Sequence, residues 1–437
     1  MDTKLTKINQ KAAGIDIGAE LIFIAVEGQC VQSFSTFTAG YIQAADYLKE
    51  HGIVTVAMEA TGIYWISLYE VLEKYGFEIY LVNGAHVKNV PGRKSDVKDS
   101  QWIQQLHSYG LLRASFIPAD DIRELRSYTR LRENHIEMAS RQINLMHKAL
   151  DLMNIKLQYV ISQLQGVSGL RIVRAILQGE RDPETLAALC DRQILNKKKD
   201  QVILSLQGNY RQEHLFALRQ ALEGYEFYQQ QINNCDQELD ILLDKLTCDI
   251  VLTTPLTPAK PIRHHKPAVD NLHEKLLKLT AGKDASGIAG LTDLSVMKLI
   301  GEVGADMSAW KTAKHFTSWL GLAPNIHQSG KVNKKRRRKA KTRAGQIFRE
   351  AAQSIGQSKH LALGGFYRRI KARSGGLVAN VATARKLAVL FYNTLKFGVE
   401  YVEEGLSKYE EQYKKRMQRS LMKKAKTLGF ELVPVEA

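Results

Sequence analysis

The chain has 437 residues and, with 62 Lys and Arg against 45 Asp and Glu, a formal charge of +17 and a pI near 9.5. Apolar residues make up 44% and charged residues 24%, the balance of a folded chain rather than a disordered one. The positive excess points to a polyanionic partner, whereas no apolar run approaches the roughly 18 residues of a spanning helix, which argues against a membrane protein.

The polar stretch Met1 to Lys11 lacks the apolar core of a signal peptide. Cys30, Cys190, Cys235 and Cys248 are scattered without a CxxC, so neither a zinc ribbon nor a disulfide framework is expected, and a reducing cytoplasm is.

Strand signals dominate the first ~85 residues. Ala12–Ile17 and Leu21–Val26 read as strands joined at Gly18-Ala19-Glu20, and Val31–Phe37 as a third. Ala39 to His51 carries a helical face (Tyr41, Ala44, Ala45, Leu48); Ile53–Met58 reads as a buried strand, Ile63–Tyr75 as a helix and Glu78–Val82 as a strand. Three strands, a helix, then strand–helix–strand is the order of a ribonuclease-H-like α/β domain.

From about Ile122 to Ile250 the period becomes helical. Leu215, Leu218, Leu222, Tyr225, Gln229, Ile232, Asp236, Leu239, Leu243 and Leu246 alternate at three and four, a coiled-coil seam of roughly 47 Å with polar interruptions, equally a long helix packed within its own domain. Val251 to Val269, with Pro255, Pro258, Pro261 and Pro267, cannot continue a helix. A second compact region follows Ala285, with an apolar helix face at Ala344, Ile347, Phe348, Ala351, Ala352 and Ile355, and the tail from about Glu400 is helical and basic. The expected division is therefore 1–118, 119–250 (helical or coiled-coil spacer), 251–284 (Pro-rich linker and short helix), 285–400 (mainly α) and 401–437 (basic tail).

Asp16 interrupts an apolar strand, where a carboxylate is costly unless paired or bound to a cation. Glu59 ends a second strand, and Asp96 and Asp99 share one face if their segment is helical. Each acid alone reads as a solvated strand end or helix cap. Converging, they would repel one another and recruit cations, and oxygen-only ligands suit Mg²⁺ or Mn²⁺ at a phosphodiester. An Asp-x-Gly hairpin also opens sugar kinases and actin-like ATPases, but no second such turn and no GxxxxGK[ST] occurs, so no nucleotide cofactor is expected.

In the second region, Trp319-Leu320-Gly321-Leu322-Ala323-Pro324 leads to Ser329-Gly330, after which Lys331, Lys334, Lys335, Arg336, Arg337, Arg338, Lys339, Lys341 and Arg343 follow with no acid between. This density suits a phosphate backbone. A serine before glycine is by itself usual in a turn, and as a nucleophile it needs help, from Lys331 or from metal ions brought by another domain more readily than from His327.

Together these residues resemble the insertion-sequence 110 (IS110) family of transposases over nearly the whole chain. Gly14-Ile15-Asp16-Ile17-Gly18, Met58-Glu59-Ala60-Thr61-Gly62 and Gly92-Arg93-Lys94-Ser95-Asp96-Val97-Lys98-Asp99 match the family's four acids, and Trp319 to Pro324 with Ser329-Gly330 match its serine motif. Lys331 stands where many relatives have a second glycine, and Ile288-Ala289-Gly290-Leu291 keeps one glycine of a Pro-Gly-x-Gly turn and lacks its proline. The resemblance implies a RuvC-like DEDD domain that binds divalent ions through Asp16, Glu59, Asp96 and Asp99, and a serine transposase domain in which Ser329 forms a covalent phosphoserine link before strand exchange. It also implies donor and target DNA, a bridge RNA, a homo-oligomer (dimer or tetramer) whose acids and serine meet from different subunits, and a prokaryotic, nucleoid-associated setting. Residue chemistry alone leaves two alternatives open: a RuvC-type nuclease or junction resolvase with water as nucleophile, and a non-enzymatic nucleic-acid-binding protein.

Overall fold

The two-residue alternation of the first segment becomes one mixed sheet. The computed structural model describes residues 6–84, 96–324, 326–329, 332–335, 342–400, 402–403 and 405–431, and it divides at 117/118 into two compact units. In the first unit, β1 (Ala12–Ile17), β2 (Leu21–Val26), β3 (Gln32–Ser35), β4 (Thr55–Glu59) and β5 (Glu78–Val82) form a sheet of order β3-β2-β1-β4-β5. β1 pairs antiparallel with β2, and β2 with β3, while β1–β4 and β4–β5 are parallel. The hairpin strands keep their expected bounds, and the third is shorter than expected, stopping at Ser35.

The two parallel pairings require crossover helices. These are α1 (Thr38–Glu50) and α2 (Trp65–Lys74), whose Tyr41, Leu48, Leu68 and Leu72 close over Ile15, Ile17, Ile22, Ile24, Val56 and Met58. A further helix, α3 (Asp96–Ser108), packs through Ile103 against Leu112 and against Ala57 and Val82, strand positions that alternate with those meeting α1 and α2. The α/β ribonuclease-H-like, RuvC-like order is the one expected.

The second unit is almost entirely helical. α4 (Asp120–Leu152) is followed by α5 (Leu157–Val160), α6 (Val167–Gln178), α7 (Pro183–Ala188), α8 (Arg192–Ser205) and α9 (Gln212–Thr247). α9, roughly 54 Å long, lies antiparallel along α4, with Asp236 opposite Arg132 and Gly224 against Gln142. Leu215, Leu218, Leu222, Ile232, Asp236, Leu239 and Leu243 of the expected seam are buried and Tyr225, Gln229 and Leu246 half-buried. The partner of that seam thus lies in the same chain. Its interruption at Asp236 is a buried ion pair: Arg132 donates to the carboxylate at 2.5 and 3.3 Å and to the His265 carbonyl at 3.1 Å, while the Ala268 N–H donates to Asp236 at 3.0 Å. The short helices α5 to α8 share a core with one end of this pair through Leu150, Ile172, Val173, Leu186, Val202 and Leu218.

The proline-bearing stretch stays non-helical up to α10 (Leu272–Leu279). Then come α11 (Asp293–Val303), α12 (Ala313–Trp319), β6 (Ile326–Ser329), β7 (Val332–Lys335), α13 (Arg343–Gln357), α14 (Ala362–Ser374), α15 (Gly376–Phe397) and α16 (Gly405–Thr427). Trp310, Phe316, Phe348, Phe391 and Tyr392 stack into an aromatic core with ring centroids 5.0 to 6.4 Å apart. Ala344, Phe348, Ala351, Ala352 and Ile355 bury the expected face of α13, with Ile347 at its margin. Among the described residues no helix is long and apolar enough to cross a membrane.

Candidate active site

Residues of one strand alternate between the faces of a sheet, so Gly14 and Asp16 share a face of β1, and Thr55, Ala57 and Glu59 share one of β4. The parallel register sets Gly14 beside Ala57, which makes these the same face, and carries Asp16 and Glu59 to the carboxyl ends of adjacent strands. Ligand sites in sheets with parallel strands form at such ends. This is also the face covered by α3.

The docking of α3 is unusually close and polar. Ser100, Gln104, His107 and Ser108 are all buried beside Ile103, a face of helical spacing made mostly of small or hydrogen-bonding side chains. Gly14 makes the approach possible: a Cβ on it would lie 2.7 Å from the Gln104 Cα and nearer still to the Gln104 nitrogen and the Ser100 carbonyl. Glycine inside a strand marks such an approach of another backbone. The far end of the helix is pinned by His107, whose Nε2 is 2.9 Å from the Thr55 hydroxyl and whose ring lies 4.6 Å from that of Tyr80. Gln104 donates to Ser108 at 3.0 Å, and Asn9 donates to the His107 carbonyl at 2.7 Å. Burial pushes the His107 imidazole down to about 4, so it is neutral near neutral pH.

With one end held on Thr55, the first turn of α3 carries Asp96 and Asp99 toward the strand ends. Burial first, and then the negative charges of Asp96, Asp99 and Glu59, push the Asp16 carboxyl up to about 6, against a stabilising hydrogen bond from the Ile17 backbone. All four expected acids therefore share one field. Glu59 lies against Gly84, where any side chain would collide with its carboxylate. Among the described residues no three acids, histidines or cysteines already form a closed ligand set. The donor chemistry nevertheless fits a divalent cation, because the donors are all carboxylate oxygens and their mutual repulsion is what a bound cation relieves. An acid at the first turn of a helix is also favoured by the helix dipole.

Sequence reasoning missed Gly14, Thr55 and His107 as the residues that position the acids. The signals were there: a glycine two positions before an acid in an apolar strand, and polar residues at 100, 104, 107 and 108 with helical spacing.

In the second unit, Ser329 ends β6, and the loop expected around it is a β-hairpin in which Ser329 pairs with Val332 and His327 with Lys334. The difference has a physical source. The strands, Ile326–Ser329 and Val332–Lys335, are four residues each and show no alternation, so only the glycine after Ser329 in the sequence favours a hairpin over an open loop. Lys334 and Lys335 lie on β7, and Arg343 opens α13, 3.7 Å from Glu133. Thr342 caps α13 by accepting from the Gly345 N–H at 3.0 Å. Lys331, Arg336, Arg337, Arg338, Lys339 and Lys341 lie outside the described residues.

Residues 13–155 match the family model of an IS110-type DEDD domain described as "Transposase", and residues 285–367 match one described as "Transposase IS116/IS110/IS902 family". A comparison with the curated proteins finds no match.

Proposed function

The chain belongs to the IS110 family of transposases, and from that premise we propose that it recombines DNA with a serine nucleophile beside metal-binding carboxylates. The observation that carries the reading is the shared field of the four acids, in which Asp16 is raised to about 6 by burial and by Asp96, Asp99 and Glu59. Asp16, Glu59, Asp96 and Asp99 would hold Mg²⁺ or Mn²⁺. Such ions supply charge neutralisation at the oxygens of a phosphodiester undergoing displacement.

Ser329 attacks phosphorus in this reading. Its Oγ–P bond forms as the bond from phosphorus to one sugar oxygen breaks, its hydroxyl proton passes to solvent or a neighbouring base, and the departing oxygen is protonated. Attack by a sugar hydroxyl of the exchanged strand reverses the step. One phosphodiester replaces another throughout, so rejoining requires no nucleotide hydrolysis, in keeping with the absence of a GxxxxGK[ST] motif. The cationic residues from Lys331 to Arg343 hold the DNA backbone near Ser329. Donor and target DNA are the substrates, a structured bridge RNA selects them, and a dimer or tetramer brings the acids of one subunit to the serine of another.

The test is to incubate the chain with Mg²⁺, DNA carrying its element's ends and the RNA transcribed from the DNA flanking its gene, and then to map covalent protein–DNA adducts. An adduct on Ser329, lost in Ser329→Ala together with recombination, is expected. Cleavage that persists in Ser329→Ala with no adduct, but fails in Glu59→Ala, would establish water as the nucleophile and overturn the serine reading.

A further inference from the structure

The last helix has a property that the acids and the serine leave unused. α16 is fastened at its base: the Arg369 guanidinium lies 3.4 Å from the Tyr413 ring centroid and donates to the Tyr409 hydroxyl at 3.1 Å, and Glu403 accepts from the Gly405 and Ala362 N–H groups at 3.0 and 2.8 Å. Beyond Tyr413 it emerges from the fold, and every residue from 414 to 424 is exposed. From 412 to 430 the chain has seven Lys and Arg and no acid. At about 100° per residue, Lys415, Arg416, Arg419, Lys423 and Lys426 fall within an arc of roughly 100°, with Met417 and Leu421 on the opposite side.

Like charges at i and i+4, as in Lys415–Arg419 and Arg419–Lys423, weaken a helix. The acids of this helix, Glu410 and Glu411, both sit at its base, where Glu411 lies 2.5 Å from Lys415. A polyanion laid along the arc removes that repulsion. From Lys415 to Lys426 the arc runs ~16 Å, the length of about five phosphates on one strand of B-form DNA. A helix of roughly 10–12 Å diameter also enters the B-DNA major groove, about 12 Å wide, but not the narrow major groove of A-form RNA.

We infer that the exposed half of α16 is a second DNA-binding element, which seats in the major groove of duplex DNA with Lys415, Arg416, Arg419, Lys423 and Lys426 against the flanking backbone phosphates. The inference rests on the DNA substrates of the family and is independent of the serine and the acids. A second copy of the chain is disfavoured as occupant because two such arcs repel, and a membrane surface because the exposed apolar side chains of the helix do not gather on one face: Met417 and Leu421 lie opposite the arc, whereas Met422 borders it.

The test uses the full-length chain in EDTA, so that binding is read without cleavage, with duplex DNA titrated by fluorescence anisotropy over a range of KCl concentrations. Replacing the five cations by Gln is expected to raise the dissociation constant at about 0.1 M KCl at least tenfold and to reduce the slope of log K against log salt by about 4 to 5. In a companion variant, Met417→Ser with Leu421→Ser, the arc is intact and DNA affinity should match wild type. The inference is overturned if the five-Gln variant binds DNA with wild-type affinity and slope. It is equally overturned if that variant's only losses are of self-association or of binding to phosphatidylserine vesicles, or if the Met417/Leu421 variant alone loses DNA. Failure of the serine reading is separate, since it leaves these binding isotherms unchanged.

Discussion

At Asp16, burial and three neighbouring carboxylates raise the carboxyl from 3.8 to about 6, so ionising it costs the folded chain free energy. The sign follows directly: the group's favourable contribution is complete below about pH 3.8 and is lost as pH rises through about 6. Asp16→Asn should therefore raise the melting temperature of the metal-free chain near neutral pH, by the equivalent of roughly 1–3 kcal/mol, and should have no such effect near pH 4. Recombination should be abolished while DNA binding persists. Mg²⁺ should stabilise the wild type more near neutral pH than near pH 5, because protons compete for the same oxygens; thermal melts with and without Mg²⁺ across this range check both effects.

His107 has the opposite sign. Its imidazole is lowered from 6.5 to about 4, so its contribution is complete above about pH 6.5 and is lost as pH falls toward 4, up to roughly 3 kcal/mol. His107→Gln, which keeps a partner for Thr55 and cannot titrate, should flatten the acid limb of the stability profile measured by denaturant titration.

At the scale of elements, the contact of α3 with β1 decides whether the acids meet. Gly14→Ala adds one carbon where Ser100 and Gln104 already fill the space. It should cost ~1–3 kcal/mol through overpacking. Because the helix must back away, it should also remove both cleavage activity and the stabilisation by Mg²⁺, which a purely structural loss elsewhere in the fold would leave. The long helical pair tests a different balance. Removing one partner of the buried Arg132–Asp236 pair, as in Asp236→Leu, should destabilise the second unit by about 3–5 kcal/mol. Arg132→Met with Asp236→Leu should recover most of that loss in urea unfolding, since no charge is then left buried.

Much of this was legible beforehand. The strands β1, β2 and β5 could be placed from alternation and turn residues, because one face of each is buried and the pattern is local. The seam of α9 was legible as a seam but not in its partner, since a stripe of leucines records that something covers it and not what; only the pairing with α4 answers that. The hairpin at Ser329 was hidden because its strands are four residues each, too short for a period to stand out among charged residues.

For the whole molecule, the +17 excess is concentrated after Ser329 and along α16, both in the unit 118–437, while the four acids belong to the unit 1–117. A composite site formed between subunits predicts complementation. Asp16→Ala and Ser329→Ala chains, each inactive alone, should recover a measurable fraction of wild-type recombination when co-expressed. No recovery would mean that each chain supplies both halves of its own site. The sequence by itself determined the residue types, their order and the class of chemistry, because carboxylates, a serine and a run of cations keep their character wherever the chain carries them. Only the tertiary structure decided that Asp16 and Glu59 end adjacent parallel strands, and that a glycine admits the helix bearing Asp96 and Asp99. That convergence depends on contacts between residues some 80 positions apart in the chain, which no local pattern of side chains encodes.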